Sequence, residues 1–284
     1  MNTANTRLAT AILAAACLSF TTTSYAVEET SASTTSTDVA RKSLKDYMVI
    51  SYLGVLLGPR LGDPGNIYQP DGITGANDAK IITKNYLDLL WKASPSLTVG
   101  PMIYWTFEPV AEKAFVMRDP AIKFKTTPFI KTDSMTLTAD LRVGLPLSQD
   151  ARDTDRLTYV ASLQTFNYDV PQSRWSLGVL AWERAFFYGG QGEKDSTALE
   201  FWVGPNVSYR LSPTVQLTYI YDFNYKSSKR DRYKTLSDTP DMEAGVSWDV
   251  SSKLNLNPVI HIPNEGEITL NKTSLVAYVV WKPL

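Results

Sequence analysis

Residues 214–225 read TVQLTYIYDFNY. Taken in steps of two from Val215, one set is Val215, Leu217, Tyr219, Tyr221, Phe223 and Tyr225; the other is Gln216, Thr218, Ile220, Asp222 and Asn224. Successive side chains of a strand point to opposite faces, whereas a helix of period 3.6 would smear the two sets around its circumference. The segment is therefore a strand with one oily, tyrosine-rich flank and one mostly polar flank. The fold turns on which flank faces water.

The same parity recurs elsewhere. Leu199, Phe201, Val203, Pro205, Val207, Tyr209 and Leu211 oppose Glu200, Trp202, Gly204, Asn206, Ser208 and Arg210. Met242, Ala244, Val246, Trp248 and Val250 oppose Glu243, Gly245, Ser247 and Asp249, and Met135, Leu137, Ala139, Leu141, Val143 and Leu145 oppose Thr136, Thr138, Asp140, Arg142 and Gly144. A one-residue slip would exchange the faces, so strict parity means both environments matter.

Turn chemistry orders these runs into hairpins. Tight polar connections fall at 93–97, 169–175, 211–215 and 250–254, and longer ones at 59–79, 148–155, 189–196, 227–238 and 263–267. The pattern predicts twelve strands, near 47–58, 80–92, 96–108, 114–126, 133–147, 156–168, 174–188, 197–211, 213–226, 239–250, 253–262 and 267–282. Pro120 interrupts the fourth, which is kept because short and long connections otherwise fall out of alternation. Pro101, Pro205 and Pro258 also lie inside strands and are expected at bulges or near a rim, where a missing donor is tolerated.

The first 26 residues form a separate unit. Arg7 precedes the largely apolar stretch from Leu8 to Phe20, and Ser24-Tyr25-Ala26 supplies small residues for cleavage, so 1–26 read as a secretory signal peptide. A rival reading takes LAAAC as a lipoprotein box acylated at Cys17. Cys17 is the sole cysteine, so cleavage after Ala26 leaves a chain without disulfide, thiolate metal site or cysteine nucleophile. Residues 27–45 read as a Ser/Thr-rich disordered leader and 46–284 as one β domain. With 28 Lys+Arg against 29 Asp+Glu, nothing draws the chain to nucleic acid. No apolar run reaches the roughly 18 residues a membrane helix needs.

Two architectures fit: a soluble sandwich or lipocalin-like barrel with the oily flank inside, or a transmembrane barrel with that flank against lipid. Three features favour the second. Most strands exceed the about 5 to 6 residues usual in soluble domains and suit the about 9 to 11 of a tilted membrane strand. Aromatics gather toward strand ends, as at a bilayer's interfaces. The polar flank carries ions of both signs, and a lipid-facing Arg or Lys costs about 2 to 4 kcal/mol at the midplane.

Residues 47–284 thus resemble the bacterial outer-membrane β-barrel class: a signal peptide, an even strand number, short turns at one end, long loops at the other, and a terminal strand SLVAYVVWKPL. In that class the last strand usually ends in Phe or Trp; here Trp281 precedes the terminal Leu284 by three residues. The resemblance implies an all-β, closed antiparallel barrel of twelve strands in up-and-down order, in the outer membrane of a Gram-negative bacterium. It also implies contact with membrane lipid, lipopolysaccharide and the assembly machinery.

Function then belongs to the lumen. Lumen width grows with strand number, so twelve strands leave a narrow passage. The expected activity is a narrow channel or transporter for small polar or amphipathic solutes, with Asp88, Glu108, Asp140, Arg142, Glu200, Arg210, Asp222, Glu243, Asp249 and His261 as inward-facing selectivity residues. The alternatives are a closed structural or adhesive barrel and a barrel-type lipid hydrolase built on His261, the sole histidine. No cofactor is expected, and Asp63, Asp71 and Asp78 of the first long loop lack the spacing of a calcium loop.

Overall fold

The computed structural model describes residues 43–62, 64, 81–109, 114–189, 197–228, 235–237, 240–263 and 268–283. Residues 1–26, read as a signal peptide, nearly all of the stretch 27–45 read as a leader, and Asp63, Asp71 and Asp78 lie outside the described residues.

Fifteen strand segments make one antiparallel sheet: β1 Met48–Arg60, β2 Ile82–Ser94, β3 Leu97–Phe107, β4 Phe115–Met117, β5 Ala121–Thr126, β6 Ile130–Lys131, β7 Met135–Gly144, β8 Arg156–Asp169, β9 Trp175–Tyr188, β10 Thr197–Arg210, β11 Val215–Ser228, β12 Thr235–Ser237, β13 Asp241–Ser251, β14 Leu254–Pro263 and β15 Ser274–Trp281. Twelve of them pair as a ring, β1-β2-β3-β5-β7-β8-β9-β10-β11-β13-β14-β15, which β15 closes onto β1. Closure leaves no open edge in the ring, and each of the twelve ring strands finds backbone partners on both sides, as a barrel in hydrocarbon requires. Short turns, the start of β1 and the end of β15 lie at one end, the turn end; β1 and β2, and the other strand pairs with long connections, are joined at the other, the loop end.

The fourth predicted strand is two pieces. β4 and β5 both pair with β3, separated by Arg118, Asp119 and Pro120. The break has a use. Asp119 turns into the loop end, accepts the Ser148 N–H at 2.7 Å, and pairs with Arg156 at 2.8 Å. Ser148 caps the short helix Gln149–Asp153 by accepting the Ala151 N–H, so the interruption clasps the β7–β8 loop. The seventh strand accordingly ends at Gly144, short of the predicted 147.

Two further expectations need correction. The last strand starts at Ser274 and not near 267, because 269–273 fold into a turn in which Thr273 N–H bonds to Thr269 O and Leu61 N–H to Thr273 O. The three strand prolines cause no bulge, and they are not at the rims. At Pro205 the β10–β11 ladder skips from Val203↔Phe223 to Asn206↔Ile220 with the register kept. Pro101 and Pro258 leave similar gaps toward β2 and β13. Each proline forgoes a donor on one side only, and its ring points outward.

The parity of the register places the side chains. Val215 to Tyr225, Leu199 to Tyr209, Met242 to Val250 and Met135 to Val143 point outward, their polar alternates inward. Trp91, Trp175, Trp248 and Trp281 are exposed on the outer wall at the turn end, and Phe107, Phe115, Phe187, Phe201 and Tyr225 toward the loop end. An exposed apolar wall between two aromatic belts is the surface a bilayer selects.

β1 breaks the simple rule. Apart from Ser51, its inward positions Val49, Leu53, Val55 and Leu57 are as apolar as its outward ones, so both faces of the strand are largely oily. They continue into Val276 and Val280 of β15 and into Leu90 of β2. The interior thus has an apolar wall beside a charged one.

Candidate functional site: a charged seam inside the barrel

The inward parity of β2, β5 and β7 brings Asp88, Lys123, Asp140 and Arg142 together halfway along the barrel. Lys123 Nζ lies 2.9 Å from Asp88 Oδ2 and 3.2 Å from Asp140 Oδ2. Arg142 grips Asp140 with two bonds, Nε to Oδ1 at 2.8 Å and an η-nitrogen to Oδ2 at 3.1 Å. Ser51 Oγ donates to Asp88 at 3.1 Å. The Lys123 and Asp140 side chains are each 8% exposed, so the seam is sealed from water, and its two positive and two negative charges cancel. Only such compensation makes burial of four ions tolerable.

Around the seam the lumen is packed. Met102, Ala121, Tyr159 and Ala161 are buried against Tyr86, Trp182 and Phe186, all pointing inward. Tyr86 stacks on Tyr104 with centroids 4.4 Å apart. The Arg142 guanidinium lies over the Trp182 ring at 4.7 Å, and Arg184 over Phe186 at 4.6 Å; flat cations on aromatic faces gain about 0.5 to 2 kcal/mol each.

Toward the loop end the interior opens. Arg184 pairs with Glu200, its Nε at 2.8 Å, and Lys226 approaches the other Glu200 oxygen at 4.0 Å. Here Arg184 keeps 26% exposure and Glu200 16%. On the neighbouring strands a mainly acidic group faces the same end of the lumen. Tyr278 Oη donates to both Glu243 oxygens, at 2.7 and 2.8 Å, and His261 Nε2 lies 3.3 Å from Asp241 Oδ2. Asp222 sits across from Gly204, where a Cβ would stand 2.6 Å from its Oδ1; the absent side chain makes room for the carboxylate.

Of the ten residues singled out from sequence, Asp88, Asp140 and Arg142 meet in the seam, Glu200 in the Arg184 pair, and Asp222, Glu243 and His261 in the acidic group. Three stand apart. Glu108 is buried just beyond β3, at the loop end; Arg210 and Asp249 are exposed at the turn end, Asp249 accepting the Asn255 side-chain amide at 2.9 Å. Sequence reasoning missed Lys123, Arg184, Asp241 and Tyr278. Parity exposed the first two, on the inward faces of β5 and β9, but which ions meet depends on the register between strands. Among the described residues no set of side chains is arranged to hold a metal ion.

No protein-family model and no curated protein sequence matches this chain. Solved structures do. An outer-membrane channel from Pseudomonas putida F1 superposes with a TM-score of 0.53 at 10% identity, covering 83% of this chain and 95% of that one. The fold is that of a bacterial outer-membrane β-barrel. The NanC porin (TM-score 0.47, 7% identity, 83% of this chain and 100% of that one) and the Ralstonia pickettii toluene transporter TbuX (0.40, 9%, 83% and 89%) are more distant barrels. At these identities the likeness concerns architecture alone.

Proposed function

We propose that this chain is an outer-membrane channel or transporter for small polar or amphipathic solutes, exported by its first 26 residues, with the turn end in the periplasm and the loop end outside. The observation that supports this is a lumen with two unlike walls. The Arg184–Glu200–Lys226 group stays partly open to water, while β1 and β15 offer half-buried Val49, Leu53, Val55 and Val280. A solute with an apolar body and a charged or hydroxylated edge meets a partner on each side.

Planar-bilayer recordings of the purified barrel test the reading. Current is expected, with ion selectivity that shifts toward anions in Glu200→Gln and toward cations in Arg184→Gln. Silence in wild type and both variants rejects it. That silence would support the second reading, a closed structural or adhesive barrel, which the sealed Asp88–Lys123–Asp140–Arg142 seam favours. A lipid hydrolase has less support: His261 is 6% exposed and faces the lumen, whereas a lipid substrate lies against the outer wall.

A further inference from the structure

Outward-facing register positions of the twelve ring strands are apolar or aromatic almost throughout, with one charged exception among the described residues. Glu183 stands in the outward series Trp175, Leu177, Val179, Ala181, Glu183, Ala185 and Phe187 of β9. It is half-buried and well inside the span between the aromatic residues at the two strand ends. Beside it on β8 lie two more polar outward residues. Ser162 is its direct cross-strand partner, and Gln164 Nε2 donates to Glu183 Oε2 at 3.0 Å and also to Ser162 Oγ. No Lys or Arg occupies an outward ring position near it. By contrast Asn85, another polar outward residue, is 6% exposed and receives the Tyr52 hydroxyl at 2.7 Å.

Acyl chains can neither donate to the carboxylate nor accept from the amide, so a bare Ser162–Gln164–Glu183 group in hydrocarbon is costly. Its composition indicates what covers it. The carboxylate has acceptor sites beyond the one Gln164 fills; the Gln164 amide spends its two N–H groups on Glu183 and Ser162, which leaves the Ser162 hydroxyl proton as the donor still to be placed. Acceptor and donor lie side by side, which makes the patch complementary to itself, as a two-fold contact requires. Ala139, Ala181 and Ala185 around it carry no bulk to hold a second wall away.

We propose that the outer wall of β7, β8 and β9 is the face on which two copies of this chain pair in the membrane, the Glu183 carboxylate of each accepting a hydrogen bond from the Ser162 hydroxyl of the other. The inference rests on the membrane placement and is independent of transport.

The test uses the full chain in outer membranes, in a Cys17→Ser background. Ala181→Cys is expected to give oxidised dimers. Leu56→Cys, outward on β1 and half a ring away, is expected to give none. Wild-type protein in mild detergent should have the mass of two chains, and Glu183→Leu should weaken that dimer by about tenfold or more, since two symmetry-related carboxylates are lost together. Heat-dependent gel mobility shows that each variant still forms a barrel, and conductance is read separately, so failure of pairing and failure of the channel reading are distinguishable. A wild-type monomer in both detergent and membrane, or equal cross-linking at positions 181 and 56, overturns the proposal. A mixed complex with some other protein at position 181 does so as well.

Discussion

Replacing Lys123 with methionine isolates the sealed seam. The substitution keeps most of the side-chain volume and removes one positive charge from a group of four that sums to zero. Asp140 still has Arg142, bound through two contacts. Asp88 does not fare as well. It keeps only the 3.1 Å bond from Ser51, and its Oδ1 already lacks a partner. Removing one member of a buried ion pair typically costs about 3 to 5 kcal/mol, because the other charge stays in a medium that cannot solvate it. Arg184→Met is the internal control: that pair is partly open to water, and Glu200 keeps Lys226 at 4.0 Å, so its loss lies nearer the about 0 to 1 kcal/mol of exposed pairs. Urea unfolding of the barrel in detergent or vesicles measures both. The expected result is a large loss for Lys123→Met, a small one for Arg184→Met, and recovery of more than half the loss in Asp88→Asn/Lys123→Met, which removes the stranded charge. Equal losses for the two single variants would refute the reasoning, since they would mean that water reaches the seam as freely as it reaches the mouth.

Further outcomes follow from the wall. Gly245→Ala places a methyl 2.7 Å from the Val259 Cα of the neighbouring strand, where backbone cannot yield; a loss of about 1 to 3 kcal/mol in the same unfolding assay is expected. Tyr52→Phe strips Asn85 of its 2.7 Å donor on the outer wall. It should cost about 1 to 3 kcal/mol, and Tyr52→Phe/Asn85→Leu should recover most of it because no polar group is then left bare. Ahead of β1, the Ser43 backbone N–H donates to Asp46 at 2.6 Å and holds its carboxyl below the ordinary range. That carboxylate therefore steadies the Leu44–Tyr47 turn at neutral pH, and the contribution fades only as pH falls through the lowered folded value, below about 4. Amide exchange at Ser43 should quicken there, and Asp46→Asn should abolish the pH dependence.

Much of the fold is legible in the sequence because lipid and water enforce parity. β7, β10, β11 and β13 each show an oily flank and an ionic one, and their residues fall on the expected sides. The turn signals likewise give the count and order of the ring. What escapes has identifiable causes. β1 shows no alternation because its inward face packs against other apolar side chains, so periodicity carries no signal there. The role of Pro120 is invisible until Asp119 is seen to hold Ser148 and Arg156 across the loop end. Pro101, Pro205 and Pro258 suggest bulges from sequence because a lost donor can be accommodated by an extra residue, whereas here one skipped rung suffices.

The site is legible only in part. Inward position follows from parity, so Asp88, Asp140, Arg142 and Glu200 are found from sequence. Their partners are set by register, which a single sequence does not reveal, and so the pairings of Lys123 and Arg184 emerge only with the structure. Glu183 is a different case. It breaks the apolar series of β9 in plain view, and its meaning depends on knowing that this flank faces outward.

Everything rests on that orientation. Spin labels at Leu217→Cys and Val246→Cys, compared with labels at the adjacent Thr218→Cys and Ser247→Cys in vesicles, measure it directly. Labels at 217 and 246 should be relaxed mainly by oxygen dissolved in the bilayer, and labels at 218 and 247 mainly by a water-soluble nickel chelate. The reverse order would contradict the account.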